Sequence, residues 1–309
     1  LHRLVGSEMC IRDSIKTILE TIKTAEGRRM HLAHVQFYGY DNKGKKGFSS
    51  GSVDLADAVN KNKNITVDVG QVMFKPTLTI SSDVLRQFGA RNNANPKKWI
   101  INEVEDGGGG IIPYEYKKKN FVNSLQWLIG LEIFLLVKDP SKVFFTTDHP
   151  NGAPFTSYPE LFRLLMDYDF RMQQISLINQ DSIKFSFLKD IKRTYSLNDI
   201  AIMTRSSPAN ILGLKDRGSL KPGCIADISI YDPNQNIDEM FRRAKYVFKN
   251  GDEVVKNGKV LKHKKTRTIA ANIKFEKSII KNVENWTNRF YSLDKEEFKV
   301  DENYFREDN

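Results

Sequence analysis

The sequence of 309 residues contains little cysteine, and this shortage limits the cellular compartments in which the protein is expected. Its two cysteines are Cys10 and Cys224. Cys10 lies in an N-terminal segment that is interpreted as non-native, so Cys224 remains alone and no internal disulfide can form. One unpaired cysteine is typical of a reducing compartment, and we therefore expect a cytoplasmic protein.

A long uninterrupted apolar run is also missing. The most apolar stretch, FVNSLQWLIGLEIFLLV at 121–137, contains Asn123, Gln126 and Glu132. A membrane-spanning helix needs about 20 consecutive apolar residues and rarely carries a carboxylate. The sequence therefore predicts no membrane span, and this stretch is better interpreted as a helix buried against a sheet.

Acidic residues are outnumbered by basic ones, 38 to 48, which gives a net charge of +10. The basic residues are spread along the chain, and no zinc-finger or helical motif for nucleic acid is present. We therefore expect an anionic small molecule or an acidic protein of the same complex as a partner, and no nucleic acid.

Residues 4–14, LVGSEMCIRDS, have no periodicity that joins them to the helical segment after them. They match the in-frame translation of a common sequencing-library adapter, and such scars are excluded from fold reasoning. We treat residues 1–14 as non-native and expect the natural sequence to begin near Ile15, with its N-terminal side missing. The alternative is an ordinary N-terminal tail.

Three β-branched apolar segments, at 30–40, 64–74 and 143–147, alternate with helical segments. Such alternation predicts a parallel sheet. Residues 75–119 interrupt it with Pro, Asn and Gly, which predicts a long insertion. Its DGGGG run is interpreted as a flexible linker rather than a phosphate loop, because no Gly-Lys-Ser/Thr motif comes after it.

The second half of the chain has different signals. Ser196 and Asp199 predict a capping box that opens a helix. Asn-Gly pairs at 250–251 and 257–258 separate β-rich runs and predict two hairpins. A small β domain is therefore expected here, and the charged stretch after His263 is expected to be helical in part.

Asp148 is the strongest candidate for chemistry. The strand in VFFTTDHPNGAPF stops at Asp148-His149, and Pro150 with the Asn-Gly pair after it forces a turn. In α/β barrels the C-terminal strand tips form the rim where catalytic groups gather. One such carboxylate is weak support, so it needs partners elsewhere in the chain.

Two histidines are the available partners. His31 and His34 lie three apart on a strand, which places them on opposite faces, so at most one points into a barrel mouth. His34 is nearer the C-terminal end and is our candidate, whereas we expect His31 to be a buried, hydrogen-bonded structural residue. His34 and Asp148 are suitable Zn²⁺ ligands, but a catalytic zinc needs three protein ligands. From the residues alone, a core histidine and a helix-capping aspartate remain the alternative.

Several segments resemble the amidohydrolase superfamily. HLAHVQF is similar to its sixth barrel strand, TTDHP to its eighth, and SPANILGL with RGSLKPGCIADISIYD to its return into a small β-sandwich. More narrowly, TTDHPNGAPFTSYPELFRLLMD, DVGQVMF and NFVNSLQWLIGLE resemble the A subunits of formylmethanofuran dehydrogenases and of bacterial formyltransferase/hydrolase complexes. The similarity runs from about Thr24 to Val260.

This resemblance implies an α/β fold. Residues 15–205 would be the C-terminal part of an amidohydrolase-type TIM barrel, strands 6 to 8, and residues 206–309 a β-sandwich portion with a charged tail. It also implies a dinuclear zinc hydrolase that acts on the N-formyl group of methanofuran, in a cytoplasmic multisubunit complex of one-carbon metabolism.

The resemblance assigns roles to four residues. His34 would bind zinc, and Asp148 would bind metal and transfer the proton of the attacking water. His149 and Asn151 would shape the substrate pocket around it.

The sequence departs from the family pattern in one respect. The first-strand His-x-His pair, the fourth-strand carboxylated lysine and the fifth-strand histidine of the family are absent from it. The resemblance therefore implies the C-terminal half of an enzyme subunit, inactive by itself. A hydrolase of cyclic amides, related to dihydroorotases or hydantoinases, and a non-catalytic scaffold protein remain as alternatives.

Overall fold

A parallel sheet is the layer that positions the candidate residues. The computed structural model describes residues 14–44, 47–81, 100–104, 107–263, 269, 274–290, 296 and 299. The sheet has the order β1-β4-β8, with β1 at Met30–Leu32, β4 at Ile65–Gly70 and β8 at Val143–Thr146. Both ladders are parallel, as predicted, so the carboxyl ends of the strands meet at one edge. The predicted non-native segment lies outside the described residues except for Ser14.

Three helices lie on one side of this sheet: α1 at Ser14–Thr24, α2 at Ser52–Lys61 and α3 at Phe121–Leu136. α2 and α3 pack against β4, and α1 packs against α2. α3 is buried on nearly every side, which confirms the interpretation of the apolar stretch as a helix packed on a sheet. In the described part of the chain, no helix is long and apolar enough to cross a membrane.

The two faces of the sheet differ in polarity. In β4 the helix-facing residues Val67 and Val69 are fully buried, whereas Thr66 and Asp68 alternate with them and are half-buried. His31 is the ladder partner of Thr66, and Phe144 is the ladder partner of Asp68. The face away from the helices therefore carries polar and ionisable side chains towards the strand ends.

The insertion between β4 and α3 contains an antiparallel sheet. Its order is β5-β7-β6, with β5 at Pro76–Ser81, β6 at Ile100–Val104 and β7 at Gly107–Glu115. The glycine run is the start of β7 and pairs with β6, so its interpretation as a flexible linker is wrong. A partner strand satisfies the backbone N–H and C=O groups of the glycines, and this overrides their weak strand propensity.

The remaining elements of the first part are short. A two-stranded hairpin precedes α2, and five helices come after β8. The predicted capping box is confirmed, because Ser196 and Asp199 cap each other's backbone N–H at the start of a helix. These elements are β2 at Tyr40–Asp41, β3 at Ser49–Ser50, α4 at Tyr158–Met166, α5 at Tyr168–Leu177, α6 at Gln180–Ile183, α7 at Leu197–Ala201 and α8 at Ser207–Ile211.

A four-stranded antiparallel sheet lies further along the chain, in the order β12-β11-β10-β9. Both predicted Asn-Gly hairpins are confirmed, since all four turn residues have a positive φ of 49° to 79°. The described residues hold only this one sheet in the region, so the sandwich stays a prediction. The elements are β9 at Ile228–Ile230, α9 at Ile237–Arg242, β10 at Tyr246–Lys249, β11 at Asp252–Lys256 and β12 at Lys259–Val260.

Two further helices, α9 and α10, lie in the second half of the chain. α9 packs against α4, with the Phe241 and Phe162 rings 5.0 Å apart, and this contact joins the second sheet to the first part of the chain. α10 spans Ile279–Phe290 and confirms that the charged stretch after His263 is helical in part.

Candidate functional site

The candidate residues meet at the carboxyl edge of the parallel sheet. β1 leads to His34, and β8 leads directly to Asp148. Nε2 of His34 lies 3.8 Å from Oδ1 of Asp148 and 3.9 Å from Oδ1 of Asp68. Three strands that are distant in sequence thus bring one imidazole and two carboxylates together.

His34 does not lie on the strand. β1 ends at Leu32, and His34 adopts a left-handed conformation (φ 51°, ψ 43°) at the start of a 3-10 helix, Val35–Tyr38. Its backbone N–H donates to Oδ1 of Asp68 at 2.7 Å. The premise that strand alternation sends His31 and His34 to opposite faces is therefore wrong, because the chain turns between them.

His31 also differs from expectation. It is exposed rather than buried, with 31 % of its side chain accessible, although it is hydrogen-bonded as predicted. Its Nδ1 lies 3.0 Å from Oγ1 of Thr66, and its Nε2 lies 2.9 Å from Oδ2 of Asp68. The ring stacks on Phe144 with a centroid distance of 5.3 Å. His31 is exposed because nothing in the described chain covers the polar face of the sheet there.

The Asp148 side chain is held by one oxygen. Nδ2 of Asn151 donates to Oδ2 at 2.6 Å, and the Asp148 N–H donates to Oγ1 of Thr146 at 3.0 Å. The other oxygen, Oδ1, is the one that faces His34. Asp148 is therefore oriented while half of its carboxylate stays open.

Both His34 and Asp148 have backbone conformations that residues other than glycine rarely adopt. Asp148 has φ 48°, close to the value for His34. Such conformations cost about 1–3 kcal/mol each and are concentrated at functional sites. Two strained residues that face each other across the end of β4, one after β1 and one after β8, therefore mark this edge as a candidate site.

His149 and Asn151 have different surroundings. Asn151 contacts Asp148 directly. Nδ1 of His149 accepts from the Phe155 N–H at 3.1 Å, and the two rings meet edge to face at 4.6 Å. The contacts of His149 in the described structure thus stabilise the turn after β8, and none of them reaches His34 or Asp148.

Gln36 and Gly70 form the support under His34. The buried Gln36 amide donates to the Gly70 carbonyl at 2.6 Å and accepts from the Gly70 N–H at 2.8 Å, so it mimics one rung of a β-ladder. A Cβ on Gly70 would lie 3.1 Å from the His34 ring. A side chain at position 70 would therefore press on both the Gln36 amide and the His34 ring, which would have to move by a few tenths of an ångström.

Asp68 also lies at this edge, although it was assigned no role from the sequence, where it appears only as the first residue of the segment DVGQVMF. It accepts from His34 and pairs with His31, so it links both histidines to β4. The sequence feature that could have identified Asp68 is its position inside the β-branched run ITVDVG, because aspartate is rare in β-strands.

A metal ion fits His34 and Asp148 as two of its ligands. The two donors are 3.8 Å apart, close to the spacing of about 3.4 Å for two ligands of a tetrahedral Zn²⁺ with bonds of about 2.1 Å. Asp68 already accepts a hydrogen bond on Oδ1 and pairs with His31 through Oδ2. No group of three His, Cys, Asp or Glu in the described residues could hold a metal, so a metal ion bound by this pair would need further ligands from outside the described residues.

Comparison with known proteins gives two related sequences. The A subunit of the formyltransferase/hydrolase complex Fhc from Methylorubrum extorquens is 40% identical, over 94% of this chain and 54% of that protein. Protein FwdA of Methanocaldococcus jannaschii is 35% identical, over 94% of this chain and 55% of that protein. The chain thus spans about half the length of the curated relatives it matches.

A solved structure agrees with both sequences. The crystal structure of the formyltransferase/hydrolase complex FhcABCD from Methylorubrum extorquens with methylofuran matches at a TM-score of 0.82 and 41% identity, over 94% of this chain and 54% of that chain. The resemblance to these A subunits that the sequence motifs indicated is confirmed. The amidohydrolase family model matches residues 8–261, most of the sequence, and the chain therefore belongs to the amidohydrolase family.

Proposed function

We propose that this chain forms part of a metal-dependent hydrolase that cleaves or forms the N-formyl amide of a methanofuran-type substrate. The observation that carries the proposal is the pair His34 and Asp148, which strained backbone conformations bring to 3.8 Å at the carboxyl edge of the sheet. The similarity to a protein whose solved structure contains methylofuran supports the substrate class. The same similarity supports a multisubunit complex as its setting.

The residues of this chain would have distinct roles. His34 and Asp148 would each supply one metal ligand. A bound metal pair lowers the pKa of a water and polarises the formyl oxygen. Asp148 would accept the proton of that water and return it to the leaving amine, and Asn151 would hold its second oxygen during both transfers. His149 would contribute to the pocket only by stabilising the turn.

We further propose the domain boundary near residue 205 and a cytoplasmic location. The boundary is supported by the short irregular helix Ile202–Ser206, after which α8 is the last helix before the second sheet. The location is supported by Cys224, the single cysteine outside the adapter-like segment, which is free.

The test uses a completed enzyme, in which this chain is joined to the part of the Methylorubrum extorquens protein that it does not match. It is assayed, with the other subunits of the complex, for formate release from formylated methanofuran and for opening of dihydroorotate and hydantoin. We expect formate release and two metal ions per chain. Opening of the cyclic amides alone would support a dihydroorotase-like hydrolase. If the folded protein catalyses neither reaction and binds no stoichiometric metal, the result would support a scaffold protein.

A further inference from the structure

Asp68 has an unusual position for a carboxylate. It lies inside β4, and only 14 % of its side chain is exposed. Aspartate is depleted in strands, and a half-buried carboxylate needs partners. In the described structure its partners are two histidines, His31 and His34, rather than a lysine or an arginine.

Each oxygen of Asp68 has a separate partner. Oδ1 accepts from the His34 backbone N–H at 2.7 Å, and Oδ2 lies 2.9 Å from Nε2 of His31. The His31 ring is fixed in turn by Thr66 on its other nitrogen and by Phe144 on its face. The carboxylate therefore cannot rotate without breaking one of these contacts.

The contact with the His34 backbone determines where the imidazole points. His34 is the residue that turns the chain from β1 into the 3-10 helix, and its left-handed conformation persists only if its surroundings enforce it. In this conformation the backbone N–H of His34 points to Asp68, and Oδ1 of Asp68 accepts its hydrogen bond. Loss of the acceptor would let the backbone relax and would move Nε2 away from Asp148.

We propose that Asp68 and His31 are positioning residues, which hold His34 in the strained conformation that directs its imidazole to Asp148. The inference rests on the proposed function, because the proposed function identifies the group that His34 binds as a metal ion. Asp68 would act through His34, so the loss of Asp68 would change metal binding without removing a metal ligand.

The experiment compares Asp68→Ala, Asp68→Asn and the control Asp41→Ala in the completed enzyme, in complex with its other subunits. Asp41 lies in β2 and has a side-chain exposure of 15 %, nearly equal to that of Asp68. The readouts are the Co²⁺ dissociation constant, the visible spectrum of the bound Co²⁺ and hydrogen exchange of the His34 amide. We expect Asp68→Ala to weaken Co²⁺ binding about 10–100-fold, to change the spectrum and to speed the exchange.

The conservative variant separates positioning from a structural role. Asparagine keeps an oxygen for the His34 N–H, and His31 can accept from its amide, so Asp68→Asn should restore the affinity, the spectrum and the exchange. Asp41→Ala should leave all three unchanged. An unchanged His34 exchange rate and Co²⁺ affinity in Asp68→Ala would overturn the proposal. If the unmodified enzyme binds no Co²⁺, the proposed function fails, and the His34 exchange rates still decide whether Asp68 holds this backbone.

Discussion

Glu132 and Asp148 are two carboxylates of the same fold with opposite environments. Glu132 lies in α3 and is fully buried. One oxygen accepts from the Ser50 and Ser52 hydroxyls, and the other accepts from the Ser186 hydroxyl and the Phe187 N–H. Every oxygen therefore has two donors from the protein itself, and Glu132 has no free acceptor for a ligand.

Asp148 is half-exposed, and among the described residues it has one side-chain hydrogen-bond partner, Asn151, on one oxygen. Its other oxygen faces His34 at 3.8 Å, a distance too long for a hydrogen bond. The difference shows how a structural carboxylate is separated from a functional one. Burial with four hydrogen bonds marks Glu132 as structural, whereas the oriented but open oxygen makes Asp148 the candidate for the proposed chemistry.

Removal of the charge at Asp148 should have the largest effect. In the completed enzyme, Asp148→Asn keeps an oxygen for Asn151 but presents an amide to His34, so it can neither bind metal well nor accept a proton. We expect turnover to fall about a thousandfold or more. The measurement is formate release at full metal occupancy, with the exposed Asp57→Asn as the control. Equal kcat values for Asp148→Asn and the unmodified enzyme would mean that Asp148 only caps the turn.

Glu132→Ala should show the opposite behaviour, with loss of stability. It leaves buried hydroxyls and the Phe187 N–H without an acceptor and opens a cavity in the core. We expect the free energy of unfolding to fall by about 2–5 kcal/mol in urea denaturation. Co²⁺ binding at a temperature where the variant stays folded should be unchanged. A variant as stable as the unmodified protein would show that the donors around Glu132 find other partners.

Asn151→Ala tests whether orientation of Asp148 matters apart from its charge. The variant removes the donor to Oδ2 but keeps the charge of the carboxylate, so the carboxylate is free to rotate and Oδ1 is no longer held towards His34. We expect kcat/KM to fall about 10–100-fold, a smaller loss than for Asp148→Asn. Asn210→Ala, at an exposed position on α8, is the matched control. If both asparagine variants behave alike, Asn151 has no role in positioning Asp148.

The pH dependence of stability provides a test of Glu132 alone. Burial raises the pKa of this carboxyl above its ordinary value, despite its four hydrogen bonds. The folded state thus binds the proton more tightly than the unfolded state, so the free energy of unfolding falls as pH rises from the ordinary pKa through the raised one. Glu132→Gln lacks this proton, and we expect its stability relative to the unmodified protein to increase with pH in that window. A constant difference across the window would contradict the raised pKa.

Features set by neighbouring residues could be predicted from the sequence. The Asn-Gly hairpins, the capping box at Ser196 and the buried helix α3 depend on local backbone preference or on a continuous apolar run. The strands of the insertion could not be predicted, because their pairing depends on partners far along the chain. Local propensity cannot report such pairing.

The candidate site divides in the same way. Asp148 could be found because a strand, a proline and an Asn-Gly pair mark its position locally. The turn at His34 could not, because it depends on an acceptor from Asp68, 34 residues further along the chain. Asp68 itself was visible only as a carboxylate in an apolar strand, and its role depends on the register of β1 and β4.

The smallest effect is expected from the charges at residues 117–119, which precede α3 at the carboxyl edge of the sheet. Two of these lysines have local partners, since Nζ of Lys118 donates to Gln174 and Nζ of Lys119 donates to the Leu177 carbonyl. Lys117 is exposed and is therefore the best candidate to attract an anionic substrate.

Reversal of this one charge should slow encounter with the substrate without altering Asp148 or its partners. We expect Lys117→Glu to lower kcat/KM by about two- to threefold at low salt, with kcat unchanged. The difference should vanish at high salt, because screening shortens the range of the interaction. Lys63→Glu, at the opposite edge of the sheet, is the control. If both reversals change the salt dependence equally, the net charge of the chain acts on the substrate and Lys117 has no special position.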